Sequence, residues 1–130
     1  MNNEAVKKWI LKAENDLKIA KDEMLTESPA TDAICFHAQQ CVEKYLKAYL
    51  IYNDKEITKT HDILFLIKQC SLIDDEFKYL LEINADYLTS YAVEIRYPDD
   101  FYFPIAEEAK EAIEICEKVK EFVNNKLKDL

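Results

Sequence analysis

A chain of 130 residues with 49% hydrophobic and 33% charged side chains is long enough to close one packed core and too apolar to stay disordered. It holds no glycine, where average usage would give roughly nine. That excludes a Walker loop, a GxGxxG fingerprint, an EF-hand loop and an Asn-Gly hairpin, which need positive φ or a close approach to phosphate. Seventeen basic against 26 acidic residues leave a net charge of −9, a poor general platform for a nucleic-acid backbone.

Helical periodicity runs through the chain. Val6, Trp9, Ile10, Ala13, Leu17 and Ala20 recur at three- and four-residue steps and predict an amphipathic first helix. After a break at Thr26-Glu27-Ser28-Pro29, Ser28 is placed to cap a second helix and Pro29 to occupy its first position. That helix carries Ile34, His37, Ala38, Cys41, Val42, Tyr45, Leu46 and Tyr49 and ends near Asn53. A short third helix is expected after Thr60 as its cap. A fourth follows Asp74-Asp75 with Phe77, Leu80, Leu81, Asn84, Leu88 and Tyr91 along it.

The stretch from Glu94 to Pro104 breaks the pattern. It is dense in aromatic residues, and Pro98 and Pro104 forbid a continuous helix through it. A last long helix runs on through Ala109, Ile113, Cys116, Val119 and Val123. The expected fold is all-α: one domain over residues 1–130, an up-and-down bundle of four long helices plus one short helix.

Cys35, Cys41, Cys70 and Cys116 have no metal-finger spacing and fall on apolar helical stripes, so reduced core thiols are expected. With no hydrophobic leader in MNNEAVKKW and no apolar run of membrane-spanning length, the expected location is the cytoplasm, away from membranes. His37 and Cys41 share the spacing of a two-ligand metal clip, but no third ligand accompanies them. Neither a metal nor a cofactor is expected.

Arg96 is the one arginine among seventeen bases, and it sits in the irregular stretch. Its planar fork suits a carboxylate, a phosphate or an aromatic face. It can pair with Glu94, Asp99 or Asp100 to fix the segment, hold a phosphate-bearing ligand or a partner, or take part in catalysis. Tyr97 and Pro98 read either as packing and a helix stop or as a surface for a base. Phe101, Tyr102 and Phe103 fit packing or an interface better than nucleotide stacking. His61 follows Thr60 at a helix start, where capping or packing is its simplest role. Glu43, Lys44 and Lys47 read as a solvated face with a favourable i,i+4 pair.

Three stretches carry a resemblance to a known family. The first is Trp9, Ala13, Asp16-Leu17 and Ala20. The second runs Cys35-Phe36-His37-Ala38-Gln39-Gln40-Cys41-Val42-Glu43-Lys44-Tyr45-Leu46-Lys47-Ala48, and the third is Arg96-Tyr97-Pro98-Asp99. Together with His61-Asp62 they resemble the HEPN family, in its branch with an arginine-tyrosine-proline motif.

That resemblance implies a helical bundle that forms a homodimer, with the segment before the last helix at the dimer cleft. It also implies pairing with a minimal nucleotidyltransferase as a toxin–antitoxin system. Many family members are metal-independent ribonucleases that use an arginine and, after it, a histidine separated from it by four to six residues. His37 and His61 both precede Arg96, so that motif is missing here.

The function expected is therefore an interaction module, non-catalytic or weakly active. It would bind a nucleotidyltransferase, with Arg96, Tyr97, Pro98, Asp99 and Tyr102 contacting a partner or a nucleotide, phosphate or RNA ligand. The alternative is a divergent ribonuclease using Arg96 with His61 or Tyr97. There histidine would move a proton and arginine would stabilise charge on the phosphate.

Overall fold

The expected first stripe closes into α1 (Asn3–Met24), which buries Val6, Ala13, Leu17 and Ala20 against α2 (Thr31–Tyr52). The structure is a computed structural model that describes residues 3–93, 103–128 and 130. α2 is the central element, packed by α1, by α3 (Ile63–Ile73) and by α6 (Ala106–Lys126). Cys41, Val42, Tyr45, Leu46 and Ala48 are inaccessible between these neighbours. The all-helical bundle expected from periodicity is what forms.

The ends of the helices differ in detail from the expectation. α2 starts at Thr31 after Ala30, without a side-chain cap, so Ser28 and Pro29 do not begin it. Instead Glu23, at the end of α1, reaches across the connection and accepts the Ala30 N–H at 3.0 Å. α3 is capped by Asp62 and not by Thr60: the Asp62 carboxylate accepts the Phe65 N–H at 3.3 Å, while Thr60 Oγ1 accepts the Asp62 N–H at 3.1 Å. A carboxylate also complements the helix dipole, which a threonine hydroxyl does not.

Without glycine, the chain needs other residues where φ turns positive. α2 ends in a Schellman motif, with Lys55 N–H to Leu50 O at 2.9 Å and Asp54 N–H to Ile51 O at 3.0 Å. Asp54 takes φ 59° at the position glycine usually fills. Asn84 does the same at φ 62° and breaks the expected fourth helix. That segment becomes a 3-10 turn (Asp75–Lys78), α4 (Tyr79–Glu82), a second 3-10 turn (Ala85–Thr89) and α5 (Ser90–Val93). Phe77, Leu80, Ala85 and Leu88 still point inward, so the apolar face survives although the helix does not.

Among the described residues no helix is long and apolar enough to cross a membrane. The four cysteines are buried free thiols. Burial pushes Cys35 and Cys70 up to about 12 and Cys41 well above its ordinary range. A thiol-reactive disulfide reagent at pH 8 should therefore leave the native protein unlabelled on the minute scale and titrate four thiols in denaturant. Rapid labelling of even one thiol in the folded state would contradict this core.

Candidate functional site

α2 has its apolar centre on one side and a polar seam on the other, and the seam lies between α1 and the start of α3. Gln39, Glu43 and Lys47 follow one another at four-residue steps, all buried. Glu43 is the hub. Lys47 Nζ lies 2.6 Å from Oε1, Gln39 Nε2 donates to Oε2 at 2.8 Å, and His61 Nδ1 stands 3.0 Å from the same oxygen. Gln39 also donates to the His61 carbonyl at 3.4 Å and accepts from Gln40 Nε2 at 2.7 Å. Lys47 lies over the Trp9 ring of α1, 5.7 Å from its centroid.

The expectation that Glu43 and Lys47 form a solvated face is thus corrected. Their side chains are 5% and 9% exposed, because α1 and the residues leading into α3 close over that side of α2. Burial alone would push the Glu43 carboxyl up; the hydrogen bonds from Lys47, His61 and Gln39 outweigh it and hold the carboxyl below its ordinary value. Lys44 faces α1 and lies 2.5 Å from Asp16 Oδ2.

Asp16 forms the other half of the seam, with His37 Nδ1 2.8 Å from its second oxygen. Both histidines therefore turn Nδ1 toward a buried carboxylate. His37 sits at the edge of the apolar stripe, about a quarter exposed, and not among the core residues around Cys41. The His61 ring is half exposed. Its role is neither cap nor packing: it closes the Glu43 hub from outside. Gln39 holds its carbonyl, and, two residues on, the Thr89 side chain accepts the Ile63 N–H through Oγ1 at 3.0 Å.

Arg96, Tyr97, Pro98, Asp99 and Tyr102 lie outside the described residues, so neither their contacts nor the approach of His61 to Arg96 is part of this geometry. The residues flanking them are held by one carboxylate. Glu108, in the first turn of α6, accepts the Tyr91 hydroxyl at 3.1 Å and the Ile105 N–H at 3.3 Å. Among the described residues no three His, Cys, Asp or Glu side chains gather as metal ligands.

Asp16 and Gln39 were not singled out by their chemistry in the sequence. Asp16 carried a signal, as an acid on the stripe of Ala13, Leu17 and Ala20. In α2 the signal was an excess of apolar residues around most of the helix, which leaves Gln39, Glu43 and Lys47 facing neighbouring elements.

The HEPN domain family matches residues 6–126. MJ1304 of Methanocaldococcus jannaschii, whose name marks it as a candidate toxin, is 33% identical over 138 residues, covering 98% of this chain and 89% of its own. The crystal structure of TT1696 from Thermus thermophilus is similar at a TM-score of 0.76 and 28% identity, over 97% of this chain and 99% of that one. ST0689, an archaeal HEPN homologue of known structure, gives 0.68 at 26% identity, over 93% and 96%. A family match that takes in α1, α2 and α6, with relatives aligned over nearly the whole chain, places this protein in the HEPN domain family.

Proposed function

We propose that this chain is the HEPN module of a toxin–antitoxin pair and acts by binding. It works in the cytoplasm as one domain over residues 1–130, as a homodimer, and engages a minimal nucleotidyltransferase. Arg96, Tyr97, Pro98, Asp99 and Tyr102 supply the contact to that partner or to a nucleotide or phosphate group. The observation that carries the reading is the disposition of the histidines. Both precede Arg96 in sequence, and both are committed to intramolecular carboxylates that hold the bundle together. The 33% identity to a protein named as a candidate toxin supplies the biological setting.

The test is recovery of the tagged protein from its own cells at low salt, with co-purifying proteins identified by mass spectrometry. A nucleotidyltransferase recovered in near-equal amount is expected. Repeated recovery of the bare protein would sink the reading.

One observation favours a second reading, the divergent ribonuclease. A half-exposed histidine whose Nδ1 is oriented by a buried carboxylate leaves Nε2 toward solvent, which is how a general acid or base is presented. Metal-free RNA cleavage by the wild type, lost in both His61→Ala and Arg96→Ala, would put the enzyme first. Absence of cleavage by a folded wild-type protein leaves the binding module.

A further inference from the structure

α3 is apolar on two sides. Ile63, Leu66, Ile67 and Cys70 face the core, while Phe65 and Leu72, seven residues apart on the other side, are 38% and 85% exposed. Apolar side chains standing in solvent on the outer face of a helix mark an interaction surface. Here its outer face forms one wall of a groove of about 600 Å³, with Lys78 and Leu81 on the opposite wall. In a chain of net charge −9, this groove is rimmed by Lys68, Lys78 and a single acid, Asp75. Lys78 pairs with Asp75 at 2.7 Å, both largely in solvent and easily exchanged for a better partner. Lys68 makes no ion pair among the described residues.

A second copy of this chain fits the groove poorly. Twofold pairing of α3 about the midpoint of Phe65 and Leu72 would bring the two Lys68 ammonium groups together. Like charges facing each other across an interface oppose association.

We infer that this groove docks an amphipathic helix from a different polypeptide, with apolar residues at i, i+3 or i+4 and i+7 and acidic residues flanking them opposite Lys68 and Lys78. The apolar residues would fill the space between Phe65, Leu72 and Leu81. The acids would complement the rim, and beyond about 10 Å the repulsion of the remaining chain is screened at ordinary salt. The inference rests on the partner-binding reading above and adds a second contact surface to the one at Arg96–Tyr102.

The probe is a synthetic helical peptide with leucines at those positions and flanking glutamates, compared with the same peptide carrying lysines instead. Fluorescence anisotropy should show the acidic peptide binding at least about tenfold more tightly than the basic one. Lys68→Glu should reverse that preference, and Leu72→Asp should weaken the acidic peptide by about tenfold or more. Leu72 is exposed, so the variant should melt like the wild type. Equal binding of both peptides, no binding of either, or indifference to Leu72→Asp overturns the proposal. So does a wild-type dimer that Leu72→Asp dissociates in sedimentation, because a second copy would then be the occupant. A nucleotidyltransferase that still co-purifies with Leu72→Asp would sink this surface while leaving the partner reading intact.

Discussion

Glu43→Ala should cost the folded state roughly 3–5 kcal/mol, the range for removing one member of a buried ion pair, and lower the melting temperature by roughly 10–20 °C. The magnitude comes from what stays behind. Lys47, 9% exposed, would keep its charge with only the Trp9 ring beside it, and Gln39 would lose an acceptor at zero exposure. Neither can be rehydrated without parting α1 from α2. The pair itself need not be strongly stabilising, because its attraction offsets a large desolvation cost. The double variant Glu43→Leu/Lys47→Met should therefore recover most of the loss, which separates an orphaned charge from a merely lost contact. Chemical denaturation of the two single variants and the double measures this. A loss below about 1 kcal/mol in Glu43→Ala would mean water already reaches the hub.

The same hub sets a pH dependence with a definite sign. Glu43 is held below its ordinary value in the folded state, so the folded protein binds fewer protons there than the unfolded chain does. Its contribution is fully present above about pH 4.5 and is lost as the pH falls through the lower folded value. Asp74, lowered mainly by its hydrogen bond from Lys126, acts in the same direction elsewhere. Comparing Glu43→Gln with wild type between pH 3 and 6 isolates the hub: the gap between the two should narrow as the acid limit is approached.

Repetition made most of the bundle readable from sequence. α1, α2 and α6 each carry several turns of apolar residues at helical spacing. The break at Asn84 was less visible because Phe77, Leu80, Leu81 and Leu88 keep their spacing across it. One asparagine in the left-handed region breaks the helix without disturbing which residues point inward. The polar seam was hidden for a different reason. Glu43 and Lys47 at i,i+4 look the same on a solvated face and in a buried hub, and local sequence does not say what packs over them. That information sits in Trp9 and His61, one helix before and one connection after. The resemblance assigned the family from the seam's own residues, His37, Gln39, Glu43 and Lys47, before their chemistry was apparent.

Phe77→Ala should also cost roughly 3–5 kcal/mol, the range for truncating a buried phenylalanine. The ring is fully buried, 4.3 Å from the Tyr49 ring of α2 and 5.0 Å from Phe122 of α6, the latter edge to face. It belongs to a four-residue 3-10 turn that has little intrinsic stability. Polar ties to α6 come from Lys126, which pairs with the partly buried Asp74 before the turn and with the exposed Glu76 in it. Phe77, with the equally buried Leu80 behind it, therefore carries most of what keeps the chain from Asp75 to Glu82 on the bundle. Phe77→Leu, which preserves most of the volume, should lose less than about 1.5 kcal/mol. Hydrogen exchange resolves where the loss falls. In Phe77→Ala the amides of residues 75–82 should lose protection well beyond the rest, because local opening there no longer drags a buried aromatic into water. Lys78 and Leu81 form a wall of the α3 groove, so peptide binding should weaken together with that protection. Uniform loss of protection across α1, α2 and α6 would instead mean that Phe77 is part of the common core and that the groove wall has no separate anchor.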